Sequence, residues 1–195
     1  MHTALLVVDV QLDFCPGGTL AVKDGDKVVP TINRVIAGFE QAKLPVFFTR
    51  DWHPADHISF KKQGGPWPPH CVQGTKGAGF HPSLRVPTSA VVLSKGDDPT
   101  KEAYSGFQGT DLEARLRGLG VREVYIAGLT TDYCVKETAT DAVKAGFAVT
   151  VIEDCTRAVD AEPGDGVRAI SQMRNAGAKL ENSSSVIRQL PSTQQ

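Results

Sequence analysis

Residues 121–143 read Val121-Arg-Glu-Val-Tyr-Ile-Ala-Gly-Leu-Thr-Thr-Asp-Tyr-Cys-Val-Lys-Glu-Thr-Ala-Thr-Asp-Ala-Val143, and the hydrophobic period changes in the middle of this stretch. Val121 to Ala127 is an apolar run rich in β-branched and aromatic residues, as expected of a strand buried on both faces. After Gly128 the chain turns polar, and Val135, Ala139, Ala142 and Val143 then recur at helical spacing. A buried strand leading through a short polar turn into a helix is half of a right-handed crossover, the unit of a parallel sheet.

The same alternation extends in both directions. Ala4 to Val10, Pro45 to Arg50, Ala90 to Ser94 and Phe147 to Glu153 read as further buried strands. Helical spacing joins Val28, Ile32, Val35, Ile36 and Phe39 in one segment and Leu112, Leu116 and Leu119 in another. A further helix is expected from Val167 to Ala176, followed by a short strand near Leu180. The expected fold is therefore a three-layer α/β/α sandwich around a mostly parallel sheet, with residues 1–195 forming a single domain. The exception is 51–89, rich in Gly, Pro and aromatic residues and without periodicity. Structureless segments of that length are usually functional, so it is expected to cover the site. The polar tail from Pro191 to Gln195 is expected to fray.

Composition excludes several classes of function. The 195 residues are 41% hydrophobic and 22% charged, ordinary for a globular protein, and a chain of this length buries roughly 70% of its unfolded surface. With a net charge of −1 and no basic stripe, neither nucleic acid nor an anionic membrane is an expected partner. A small molecule is. The apolar start, Ala4 to Val8, is interrupted by Asp9 and lacks a preceding basic region, so neither a signal peptide nor a membrane span is read and a cytoplasmic location is expected. Cys15, Cys71, Cys134 and Cys155 form no CxxC pair, which argues against a disulfide framework or a zinc finger. A homo-oligomer is compatible with the sequence.

In an open parallel sheet, ligands bind beyond the carboxyl ends of the strands. Asp9 ends the first strand, Asp51 follows the second, Lys95 follows the third, and the fourth runs into Cys134. Placed in the opening turn of a helix, Cys134 would meet unpaired N–H groups and the positive end of the dipole, both of which favour a thiolate. Cys15, Cys71 and Cys155 read as buried structural thiols. Asp9, an expensive charge beside Leu5 to Val8, has Lys95 as its natural partner; beside a thiol, the two also make a nucleophile-and-base arrangement. Asp51 and His53, two residues apart, point to one side of an extended backbone, which is metal-ligand spacing. His70, in a Pro-restricted loop, is a third candidate and His57 a fourth. His2 and His81 read as ordinary loop residues.

Taken together, Val7 to Phe14, Arg50-Asp-Trp-His-Pro54, Trp67 to Thr75, Lys95-Gly96, Tyr104 to Phe107 and Thr131-Asp-Tyr-Cys-Val135 resemble the nicotinamidase/pyrazinamidase branch of the isochorismatase-like cysteine hydrolases, in the family's order and over nearly the whole chain. The resemblance implies a six-stranded parallel sheet and a catalytic triad of Asp9, Lys95 and Cys134. It implies a divalent metal on Asp51, His53 and His70, with zinc the leading candidate and iron or manganese the alternatives. It also implies an oxyanion hole from the N–H groups of Thr130 and Cys134, with a cis peptide between Leu129 and Thr130. His57 stays outside the metal set, because its short spacing from Asp51 resembles members that use three protein ligands. Phe14, Leu20, Trp67, Tyr104 and Tyr133 would form the substrate slot. The implied reaction is hydrolysis of nicotinamide, and of pyrazinamide-like analogues, to the acid and ammonia through a Cys134 thioester, in NAD salvage. The alternative is another hydrolase of the same superfamily, acting on isochorismate or a carbamoyl amide.

Overall fold

A computed structural model describes residues 2–191; of the tail expected to fray, 192–195 lie outside the described residues. Six strands form one parallel sheet: β1 (Thr3–Val8), β2 (Val46–Asp51), β3 (Val91–Lys95), β4 (Glu123–Leu129), β5 (Ala148–Arg157) and β6 (Lys179–Glu181), in the spatial order β3-β2-β1-β4-β5-β6. The helices are α1 (Val29–Gln41), α2 (Leu112–Gly118), α3 (Lys136–Lys144), α4 (Asp165–Ala176) and α5 (Ser183–Gln189).

The strand residues sort by parity onto two cores. Leu5, Val7, Val46, Phe48 and Tyr125 pack with Ile32, Val35, Ile36 and Phe39 of α1 and Val186 of α5. Ala4, Leu6, Val8, Phe47, Val124 and Ile126 pack on the other face with Leu112 and Leu116 of α2, Ala139 and Ala142 of α3 and Met173 of α4. This is the three-layer sandwich that the alternating pattern predicts, and it explains why β1 and β4 read as unbroken apolar runs: both of their faces are covered.

The strand order reverses direction between β1 and β4, which lie side by side from Thr3↔Glu123 to Val8↔Gly128. A crevice opens there beyond the strand ends. Gly128 sits in it at φ +120°, and a Cβ at that position would collide with the Val8 backbone; only glycine lets the two strands meet so closely.

All five strand boundaries shift from the sequence reading; β3 (Val91–Lys95) moves by one residue and β4 (Glu123–Leu129) by two, and the other three bear on the site. β1 stops at Val8 because Asp9 turns out of the strand at φ +48°. β2 runs one residue further, so Asp51 pairs in register with Lys95. β5 continues to Arg157, its register with β4 shifting between Ile126 and Gly128. Helix α5 was not read at all: three serines dilute its apolar spacing, although Asn182 caps it by accepting from the Ser185 N–H. No helix among the described residues is long and apolar enough to cross a membrane.

Candidate active site

Four strand ends bring Asp9, Asp51, Lys95 and the turn after β4 into the crevice. The Lys95 ammonium is fully buried at their centre. Its Nζ is 2.9 Å from Asp9 Oδ2, hydrogen-bonds Asp51 Oδ1 and Ala103 O, and stands 3.5 Å from Cys134 Sγ. A buried cation is tolerated only when so fully paired. Burial would lower its pKa, but the Asp51 and Asp9 carboxylates outweigh that and hold it well above the ordinary lysine value. The ammonium is therefore permanently charged.

The two carboxylates facing it diverge. Burial pushes Asp9 above the usual carboxylate range, helped by Asp51 and opposed by Lys95 and by Thr49, whose hydroxyl donates to Asp9 Oδ1 at 2.7 Å. For Asp51, burial pulls in the same direction but loses to Lys95 and His53, leaving its pKa well below that range. Asp9 is thus the carboxylate that can take up a proton, and Asp51 is a fixed anion.

Cys134 lies in a single π-helical turn, Thr131–Val135, that leads into α3, and Val135 N–H closes back on Thr130 O at 3.0 Å. Such turns are frequent at functional sites. The thiol is 4% exposed, more enclosed than its place at a helix start suggests. Its pKa is not lowered as expected there. Burial, with Asp9 and Asp51 nearby, pushes it well above the ordinary thiol value against the pull of Lys95. The thiol form is thus favoured by burial and by the hydrogen bond to Asp9, and Lys95 opposes both.

Asp51, His53 and His70 are buried, and their ligand atoms lie within 4.8 Å of one another. His53 Nδ1 is 2.9 Å from Gly96 O and His70 Nδ1 is 2.8 Å from Pro68 O. A carbonyl only accepts, so each Nδ1 carries a proton, and in the neutral ring each Nε2 has a lone pair to offer a metal. Both Nε2 atoms face Asp51 Oδ2, at 3.5 and 4.0 Å. Three acceptors converging in a buried space fit a divalent cation between them, with the two carbonyls fixing the rings from behind. Asp9, Asp51 and Cys134 also cluster within 4.8 Å, but the cation of that group is already present as Lys95.

His57 does not join the set. Its ring lies against His53, with centroids 4.2 Å apart, while Nδ1 meets Ser59 Oγ at 2.7 Å and Nε2 meets Lys101 O at 3.0 Å. Both nitrogens are engaged, so His57 buttresses the His53 ring. Gly96 completes the support. At φ +65° it turns its carbonyl to His53, and a Cβ there would land on that ring. Gly96→Ala is expected to weaken zinc binding about 10-fold or more, the usual scale for a disturbed supporting contact; a competitive zinc titration measures it, and unchanged affinity would refute this role.

The slot beside Cys134 is lined by Phe14, Leu20, Asp51, Trp67, His70, Tyr104, Thr130, Tyr133 and Val159, and encloses about 270 Å³ of empty space, including its open mouth. Trp67 Nε1 donates to Tyr104 Oη at 2.8 Å, and Trp67 stands edge-on to Tyr133 at 4.9 Å. Aromatic walls with a few converging polar groups suit a small planar ligand. A larger open depression lined by Glu40, Lys43 and Leu44 lies by the opposite ends of the strands, away from these groups. All five slot residues named from the sequence line this slot, Asp51, His53 and His70 lie together, and Asp9 and Cys134 meet at Lys95. The Leu129–Thr130 peptide is cis.

Several supporting residues were not assigned roles from the sequence. Besides Thr49, Gln11 clamps Asp51 by accepting from its N–H and donating to its carbonyl, both at 2.8 Å, with a second bond to Ala78 O. Asp13 accepts the Cys71 N–H at 2.7 Å, anchoring the loop that carries His70. Asp132 accepts the N–H groups of Val159 and Asp160, which brings Val159 to the slot. The visible signal for these was a polar side chain inside or beside an apolar run.

Residues 3–185 match the family description "Isochorismatase domain". A nicotinamidase/pyrazinamidase of Mycobacterium tuberculosis is 44% identical, the match covering 93% of this chain and 99% of that protein. Among solved structures, a pyrazinamidase of Pyrococcus horikoshii in complex with zinc is 49% identical with a TM-score of 0.89, covering 93% of this chain and 99% of that one. PnC1 of L. infantum in complex with nicotinate is 38% identical with a TM-score of 0.87, covering 94% of each chain.

Proposed function

Because the chain belongs to the isochorismatase-domain family, and its slot joins a buried thiol, base and cation to a three-ligand metal set, we propose that it is a metal-dependent nicotinamidase. It hydrolyses nicotinamide, and pyrazinamide-like analogues, to the acid and ammonia in NAD salvage. Residues 1–195 act as one hydrolase domain, with 51–89 as the metal-binding and substrate-covering insert. The observation that carries the reading is the position of Asp51. One oxygen faces Lys95, the other faces the Nε2 atoms of His53 and His70, so the reacting thiol and the metal set share one residue and one slot. The relatives named nicotinamidase and pyrazinamidase, one bound to zinc and one to nicotinate, support the same substrate and metal.

Asp9 takes the Cys134 proton as the thiolate attacks the carboxamide carbon, and Lys95 holds the resulting negative charge in place. The N–H groups of Thr130 and Cys134 receive the developing oxyanion; a donor so placed is typically worth about 3–4 kcal/mol of barrier. Asp9 then passes its proton to the departing ammonia and deprotonates the water that cleaves the thioester. The raised pKa of Asp9 suits this double duty. Asp51, His53 and His70 would hold a divalent cation, which would supply Lewis-acid chemistry to anchor a ring nitrogen. The walls formed by Phe14, Leu20, Trp67, Tyr104 and Tyr133 orient the planar ring and exclude water.

The test compares ammonia release from nicotinamide and benzamide. Benzamide keeps the ring and carboxamide but lacks the pyridine nitrogen, so its kcat/KM is expected to fall at least about 10-fold, largely through KM, the signature of lost ground-state binding. Equal turnover of the two would remove the ring-nitrogen anchor, and no turnover of either would remove the function.

A further inference from the structure

Thr130 connects β4 to the Cys134 turn, lines the slot and is 3% exposed. Its Oγ1 has no hydrogen-bond partner. Among the described residues one other buried side-chain oxygen lacks a hydrogen bond, Asp9 Oδ2, and that atom faces the Lys95 ammonium at 2.9 Å. Other buried threonine hydroxyls nearby are engaged: Thr131 with Thr156 at 2.8 Å, Thr49 with Asp9 at 2.7 Å, and Thr138 with the Gly106 N–H at 2.9 Å. A buried hydroxyl left unsatisfied is destabilising, and apolar side chains of the same shape exist. Thr130 Oγ1 is thus an isolated exception within a site that otherwise pairs its polar atoms.

We infer that the Thr130 hydroxyl is reserved for the substrate, donating a hydrogen bond to the carboxamide oxygen held beside Cys134 Sγ. The inference rests on the amidase reading above and adds to it a side-chain donor distinct from the backbone N–H groups. The branched Thr side chain has few χ1 rotamers, so the hydroxyl is preset. As the carbonyl oxygen gains charge during thiolate attack, this bond strengthens, so its contribution falls mainly on kcat.

Thr130→Val removes the hydroxyl at nearly constant volume, and Thr130→Ser keeps it. Ammonia release from nicotinamide is expected to fall about 10- to 100-fold in kcat for the valine variant, with KM within about threefold, while the serine variant stays within about fivefold of wild type. The valine variant is expected to melt at or above the wild-type temperature, because an unsatisfied buried group has gone. A valine variant as active as wild type overturns the proposal, as does an equal loss in both variants or a valine variant that melts lower. Wild-type protein inactive on nicotinamide instead overturns the amidase reading itself, and the proposal with it.

Discussion

Cys134→Ala is expected to reduce ammonia release from nicotinamide by at least about 10⁴-fold, the order seen when a nucleophile is deleted from a catalytic triad. Sγ is the sole thiol among the groups lining the slot, and it stands 3.5 Å from the Lys95 ammonium. The fold should survive. Only one buried atom is lost, Lys95 keeps Asp9, Asp51 and Ala103 O as partners, and a thiol-to-methyl change leaves no charge unpaired. Bound metal should also be unchanged, since Cys134 is not in the Asp51, His53 and His70 set. Circular dichroism, metal analysis and turnover on one preparation separate these outcomes. Mass spectrometry of wild-type protein with a nicotinaldehyde-like inhibitor should place the adduct on Cys134; an adduct on Cys15, Cys71 or Cys155, or normal activity in the alanine variant, would refute the covalent mechanism.

Exhaustive chelation is expected to lower activity by about 10²-fold or more, with recovery on adding zinc. His53 and His70 each turn Nε2 towards Asp51 Oδ2, so removing either leaves two ligands where a stable site needs three or more. His53→Ala and His70→Ala should therefore lose metal and activity in parallel. His57→Ala should be milder, because both of its nitrogens are bound to Ser59 and Lys101; its cost is a looser His53 ring. Metal-free wild-type protein with full activity would sink the metal assignment while leaving the Asp9, Lys95 and Cys134 chemistry standing. A His57 variant as metal-poor as the His70 variant would add a fourth ligand.

Much of the fold was legible because strands covered on both faces leave unmistakable apolar runs. The site was legible for a related reason: Asp9, Asp51 and Lys95 are charges at the ends of such runs, where only pairing or chemistry tolerates them. Residues whose signal is relational stayed hidden. Nothing local marks Thr49 as the donor to Asp9, or Gly96 as the carbonyl behind His53, because each acts across more than 35 residues of chain. For the Cys134 thiol the helix start and the surrounding groups pull in opposite directions. A helix start favours a lowered pKa, whereas burial beside two carboxylates, invisible in the local sequence, raises it against the pull of Lys95. Helix α5 escaped because three serines and a single buried valine carry too little periodicity to register.

The reversal of strand order at β1 and β4 has a consequence for how the molecule matures. Everything up to β3 supplies the base, the ammonium and all three metal-set residues, yet in that portion β1 is still an edge, with a fully apolar strand and an unpaired row of backbone groups. Such an edge is a template for aggregation. It is capped only when β4 arrives, more than a hundred residues later, along the six pairings from Thr3↔Glu123 to Val8↔Gly128. Long-range parallel pairing of this kind is slow to form. The event that protects the vulnerable edge is also the one that delivers Cys134 to its partners, so a nascent chain carries no reactive thiol in a functional setting until its most hazardous surface is sealed.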